Sequence, residues 1–162
     1  MTVCTQDRQR LLCEIDVGDA VLSIPIVRLS DMGNKVKEYL ENMNKIIGFV
    51  VLENYVIMPN HVHLLILIKH ESGGMLRTAS PTNAVIPRII HGLKSVTTKQ
   101  IGYSIWQRAY HDHIIRNENE YLEIWKYIDE NPIRWTEDKY FLSDGTLGTA
   151  PPTLNNRENR IL

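Results

Sequence analysis

The chain has 162 residues, 43% of them apolar and 23% charged, which suits one globular domain with a core of its own. A formal net charge of −1 excludes a global pull toward nucleic acid, and Cys4 and Cys13 alone exclude a disulfide framework. No apolar run reaches the roughly 18 residues of a membrane span. MTVCTQDRQR is too polar and too short for a secretory signal, so a cytoplasmic protein with free thiols is expected.

MTVCT alternates and reads as a short strand, with RLLCEID as its neighbour. Residues 31 to 45 have helical spacing, with Val36, Tyr39, Leu40 and Met43 in one stripe. GFVVLENYVIMP and HVHLLILI are two strand-like runs joined at the turn signal Pro59-Asn60. Residues 69 to 83 read as a loop. A helix is expected from near Pro87 to near Gly102, followed by a strand with an irregular entry over SIWQRAYHDHIIRN. ENEYLEIWKYIDEN reads as a helix capped by Asn117 and stopped by Pro132. After PIRW the pattern fades. A single domain over 1–139 and a mobile tail over 140–162 are therefore expected. The order lacks the regularity of parallel βαβ units, so the expected class is α+β, an antiparallel sheet with helices packed on one face.

Charge is unevenly placed. Between Ala84 and Arg116 the chain carries Arg88, Lys94, Lys99, Arg108 and Arg116 against Asp112 alone. Such a stretch is either a phosphate-binding surface or an ordinary solvated face. Arg88, Lys94, Ser95, Thr98 and Lys99 share the middle helix and could meet phosphates. Trp106 and Tyr110 are either stacking platforms for unpaired bases or core residues.

The sharpest local feature is His61-Val62-His63 inside an apolar strand. Side chains at i and i+2 share a face, about 6.5 Å apart along the strand, so the two imidazoles can converge on one divalent ion. The other reading is two core histidines satisfied by hydrogen bonds. His111-Asp112-His113 repeats the spacing with a charge between, so spacing alone is not specific. On the last helix Tyr121, Ile124, Trp125 and Ile128 form the core stripe. Tyr127 lies to one side, with Asn131 one turn further on the same side. It either rims the core or reaches a metal held by the sheet.

MPNHVHLLI resembles the HUH motif (His, hydrophobic, His) of single-tyrosine transposases. WQRAYHDHIIRNENEYLEIWKYIDENPIRW looks like the C-terminal half of the REP-associated tyrosine transposases, and IPRIIHGLKSVTTKQIG like the helix between the two motifs. VCTQDRQRLLCEI is similar to that family's opening strand pair, so the resemblance spans about residues 2 to 135. It implies a ferredoxin-like or RRM-like HUH fold and cutting and rejoining of single-stranded DNA at hairpin-bearing ends. It makes Tyr127 the nucleophile and His61, His63 and Asn131 the ligands of Mg²⁺ or Mn²⁺. With Arg108 from the basic stretch, Tyr110 and His113 complete the candidate DNA contacts. Asp112 and His113 match an Asp-His typical of the family. The partner would be single-stranded or hairpin DNA, the protein a monomer or homodimer, cytoplasmic in a prokaryote and nucleoid-associated when bound. Against the family pattern, the sequence starts later, is less basic, and has no match after Tyr140. A missing first-strand segment or DNA arm, and a domesticated hairpin binder without cleavage, are the corresponding expectations. A metal-dependent phosphoesterase using a water nucleophile is a third reading.

Overall fold

The computed structural model describes residues 1–16, 24–69 and 81–141. Three strands, β1 (Thr2–Cys4), β5 (His61–Ile68) and β4 (Val50–Met58), form an antiparallel sheet in the order β1-β5-β4. The two long strands meet at Pro59-Asn60, as the turn signal predicts. β1 does not pair with the run that follows it. That run, β2 (Cys13–Asp16), pairs instead with β3 (Ile26–Leu29), a strand the sequence reading missed, in a separate two-stranded ribbon.

The segment after the middle helix completes the sheet without becoming a regular strand. Thr2 exchanges backbone hydrogen bonds with His111, Gln107 N donates to Cys4 O, and Gln6 N donates to Ile105 O. Residues 105–111 thus occupy the place beside β1, giving the strand order of a ferredoxin-like fold. The irregular entry has a cause. Lys94 Nζ donates to the carbonyls of Gln107 (2.7 Å) and Arg108 (3.0 Å), which turns these groups toward a helix instead of a ladder partner.

α1 (Asp31–Ile46) begins at Ser30, whose Oγ accepts from Gly33 N at 3.1 Å. Its buried stripe is Val36, Tyr39, Leu40 and Met43, as the spacing predicts. α2 (Pro81–Ile101) starts six residues before Pro87, so the proline lies inside the helix and not at its first turn. Pro87 is exposed while Val85, Ile89, Ile90 and Leu93 are buried, and burial of that stripe at about 1.5–3 kcal/mol per side chain offsets a missing backbone bond. Both helices share one core with Val3, Ile57, Val62 and Leu64, the residues that face one side of the sheet.

α3 (Glu118–Glu130), capped by Asn117 Oδ1 on Glu120 N, breaks the expectation of helices on one face. It lies on the other side, where Thr2, Cys4, His61 and His63 point, and Asn54 Nδ2 donates to its Asp129 at 2.9 Å. A short 3-10 turn, Trp135–Glu137, follows. Tyr140 is 4% exposed and Phe141 half-buried, so packing continues past 139 to the last described residue. The rest of the expected tail, and most of the expected 69–83 loop, lie outside the described residues.

Two glycines mark close approaches. A Cβ on Gly33 would sit 2.0 Å from the Leu12 carbonyl oxygen, and one on Gly92 would sit 2.3 Å from the Tyr39 hydroxyl. Gly33→Ala is expected to lower unfolding free energy by about 1–3 kcal/mol in urea titrations. Gly48→Ala, which meets nothing within 4 Å, should cost nothing. Equal midpoints for the two variants would contradict this packing.

Candidate metal and nucleophile site

The alternation of β5 sends Val62 into the helix-backed core and His61 and His63 to the opposite face. The two histidines are 0% and 5% exposed. Their Nε2 atoms stand 3.0 Å apart, with the rings edge to face. The second reading of the sequence, core histidines with hydrogen-bonded partners, is met at every ring nitrogen: each Nδ1 has a partner, and the two Nε2 atoms face each other at hydrogen-bond distance.

Asn60 fixes the protons. Its Nδ2 donates to Arg8 O (3.2 Å) and Tyr140 O (2.8 Å), so its Oδ1 is the atom turned to His61 Nδ1 at 2.8 Å. His61 Nδ1 must therefore be the donor, and His61 Nε2 carries a lone pair. His63 Nδ1 meets the Thr2 hydroxyl at 2.8 Å, a group that can donate or accept. In the protein alone His63 Nε2 can donate its proton to His61. With a cation between the rings, the proton can move to Nδ1, where Thr2 accepts it. Burial is the first cause that drives both imidazoles down to a pKa of about 3; for His61 the charges of Lys139 and Arg8 add to it, and for His63 the neighbouring His61 does. Both rings are neutral at pH 7 and available as ligands.

α3 brings Tyr127 to this pair. Its hydroxyl is 3.3 Å from His63 Nε2 and donates to Asp138 Oδ2 at 3.1 Å. Burial first, and the Asp138 carboxylate second, push the phenol up to about 12. Tyr127 remains 44% exposed, at a cleft of about 600 Å³ that Asn131, Asp138 and Lys139 also line. Asn131, one turn on, is 2% exposed. Its Nδ2 donates to Asp138 Oδ2 at 3.2 Å, while its Oδ1 is buried without a hydrogen-bond partner. An orphaned buried carbonyl oxygen is costly unless something positive meets it.

Asp138 is the residue that sequence reasoning missed. It follows Tyr127 by 11 residues, in the stretch where periodicity had faded, and with His61 and His63 it forms a group whose ligand atoms lie within 4.8 Å of one another. The only local signal was an acid directly before Lys139-Tyr140-Phe141. Two imidazole nitrogens, a carboxylate and a free amide oxygen suit a hard or borderline divalent ion such as Mg²⁺ or Mn²⁺.

The expected DNA contacts do not gather here. Arg88, Ser95 and Lys99 are exposed and Thr98 half-buried on α2, with the sheet between them and the histidines. Lys94 is committed to the 107–108 carbonyls and lies 5.9 Å from the centre of the Tyr110 ring. Trp106 is a core residue, its Nε1 donating to Thr97 at 2.8 Å. Arg108 is exposed on the edge segment, and His113 is tied to Glu120 at 2.5 Å.

In metal-free protein, the unfolded chain gains protons near pH 6.5 that the buried pair refuses until about pH 3. Stability is therefore intact above pH 6.5 and is lost as pH falls through that window, by up to about 1.4 kcal/mol per unit for each histidine. The expected observation is that His61→Gln/His63→Gln flattens the stability–pH profile between pH 6 and 4. Parallel profiles would contradict it.

No protein-family model matches the chain. It is 34% identical over 131 residues to an uncharacterized protein of Haemophilus influenzae, covering 72% of this chain and 73% of that one. The chain belongs to the same family as that protein. Among solved structures, a REP-associated tyrosine transposase bound to a REP hairpin shares the fold at a TM-score of 0.57 and 19% identity, over 85% of this chain and 67% of that one. Among the described residues no helix is long and apolar enough to cross a membrane.

Proposed function

We propose that this protein is a REP-associated-type tyrosine transposase, which cuts and rejoins single-stranded DNA at hairpin-bearing ends through a 5′-phosphotyrosine link. The observation that carries the reading is the convergence of Tyr127, from α3, on the facing His61–His63 pair of β5, with Asn131 Oδ1 unpartnered one turn away. The domain is 1–139 with Tyr140 and Phe141 packed on it. The fold shared with a hairpin-bound transposase supports the same choice of substrate.

His61, His63 and Asn131 would hold Mg²⁺ or Mn²⁺, with Asp138 as a further oxygen donor. When bound, the ion would polarise the scissile phosphate and offset its developing charge. The chain does the rest. Asn60 and Thr2 keep the imidazoles oriented with Nε2 forward. Asp138 Oδ2 accepts the Tyr127 hydroxyl and is placed to take its proton as Oη attacks phosphorus. The P–O bond to the 3′ oxygen breaks and that oxygen takes up a proton from water, leaving a 3′-hydroxyl and a tyrosyl ester that retains the phosphodiester energy for rejoining. A monomer suffices for this arrangement, because nucleophile and ligands come from one chain. A cytoplasmic site of action in a prokaryote follows from the substrate.

The second reading, a domesticated hairpin binder, draws on the near-neutral charge of the chain, which is less basic than the family pattern. One experiment separates the two. With Mn²⁺ and end-labelled hairpin DNA carrying a single-stranded tail, wild type should give a protein-linked band on a denaturing gel. Tyr127→Phe should abolish it, and Asp138→Asn should slow it by about 10²–10⁴-fold. Hairpin binding with no band from wild type would favour the binder. Cleavage that survives Tyr127→Phe would favour a water nucleophile.

A further inference from the structure

The cations that face the histidine pair are not on α2. Arg8 lies 5.2 Å and Lys139 5.0 Å from the centre of the Tyr140 ring, and that ring lies 4.6 Å from His61. Arg8 Nη1 also reaches Lys139 O at 3.4 Å. Arg10 continues this edge, 5.0 Å from the Phe141 ring centre. Among the described residues neither Arg8 nor Lys139 is in ion-pair contact with a carboxylate.

The loop that presents Arg8 is strained. Asp7 (φ 52°) and Arg8 (φ 54°) are successive non-glycine residues in the left-handed region. Such strain persists only where surrounding structure enforces it, and it concentrates at ligand clamps. The enforcing groups are visible. Thr5 Oγ1 donates to Gln9 O and Asn60 O, and Asn60 Nδ2 donates to Arg8 O and Tyr140 O. The carboxamide that orients His61 thus also fixes the backbone beside both cations.

We propose that Arg8 and Lys139 form a two-cation clamp on DNA phosphates next to the one attacked by Tyr127. This rests on the reading of the site as a DNA strand transferase, and it places the single strand on the α3 face of the sheet. Phosphate contacts of this kind set the register of a strand without reading its sequence.

The test is the salt dependence of binding, by fluorescence anisotropy of a labelled DNA hairpin with a single-stranded tail. Each single-strand phosphate neutralised contributes about 0.7 to the slope of log K against log salt. Arg8→Gln/Lys139→Gln should reduce the slope by about 1.4. Arg8→Lys should keep the full slope, which separates lost charge from lost folding. Lys37→Gln/Lys45→Gln, the same charge change on exposed α1 positions, should leave it unaltered. If wild type binds and the clamp variant matches the α1 control, or if Arg8→Lys loses as much slope as Arg8→Gln, the clamp is wrong, and the transferase reading is untouched and is decided by the denaturing gel. If wild type binds no DNA at any salt, the transferase reading fails and takes the clamp with it.

Discussion

One buried carboxamide, that of Asn60, holds the site together. Its oxygen accepts from His61 Nδ1, and its nitrogen donates to the carbonyls of Arg8 and Tyr140. Three segments far apart in sequence meet on it: the β1–β2 loop, the β4–β5 turn, and the chain after α3. It has no exposure, so each of these bonds is made in a low-dielectric setting, where a lost partner leaves an uncompensated polar group. The proton placement of His61, and hence the free lone pair at its Nε2, follows from this single residue.

The sheet divides the molecule chemically as well as spatially. On one side Val3, Ile57, Val62 and Leu64 are sealed by α1 and α2. On the other, β1 and the start of β5 present Thr2, Cys4, His61 and His63, while β4 contributes the apolar Val56 and Met58 opposite the two histidines. Period-two alternation therefore does two jobs in one strand, a core on one face and a reactive surface on the other. α3 supplies only its flank to that surface. Its stripe residue Ile128 is buried, whereas Tyr127, one position earlier, projects into the cleft.

The residues that were legible in the sequence are those whose signal is local. The Pro59-Asn60 turn, the i, i+2 histidines, the cap at Asn117 and the Tyr127–Asn131 spacing each depend on backbone geometry within a few residues. Where the reading failed, the decisive interaction was long-range. β2 faces β3 and not β1, and β3, with Ile26 and Val27 exposed, offers no buried alternation to detect. α2 begins before Pro87 because its buried stripe starts at Val85, which outweighs the proline as a starting signal. Asp138 had no periodic context, and its importance comes from contacts with Tyr127 and Asn131 that only folding creates. The basic stretch of α2 lies across the sheet from the histidines, since charge density along a chain does not say which side of a sheet it will occupy.

The central claim is that His61 and His63 share one divalent cation beside Tyr127. Crystals grown with Mn²⁺, measured at a wavelength where manganese scatters anomalously, test it most directly. The account predicts one anomalous peak within bonding distance of both Nε2 atoms and of Asn131 Oδ1. A peak held only by surface carboxylates, or none at the histidines with Mn²⁺ in excess, would contradict it.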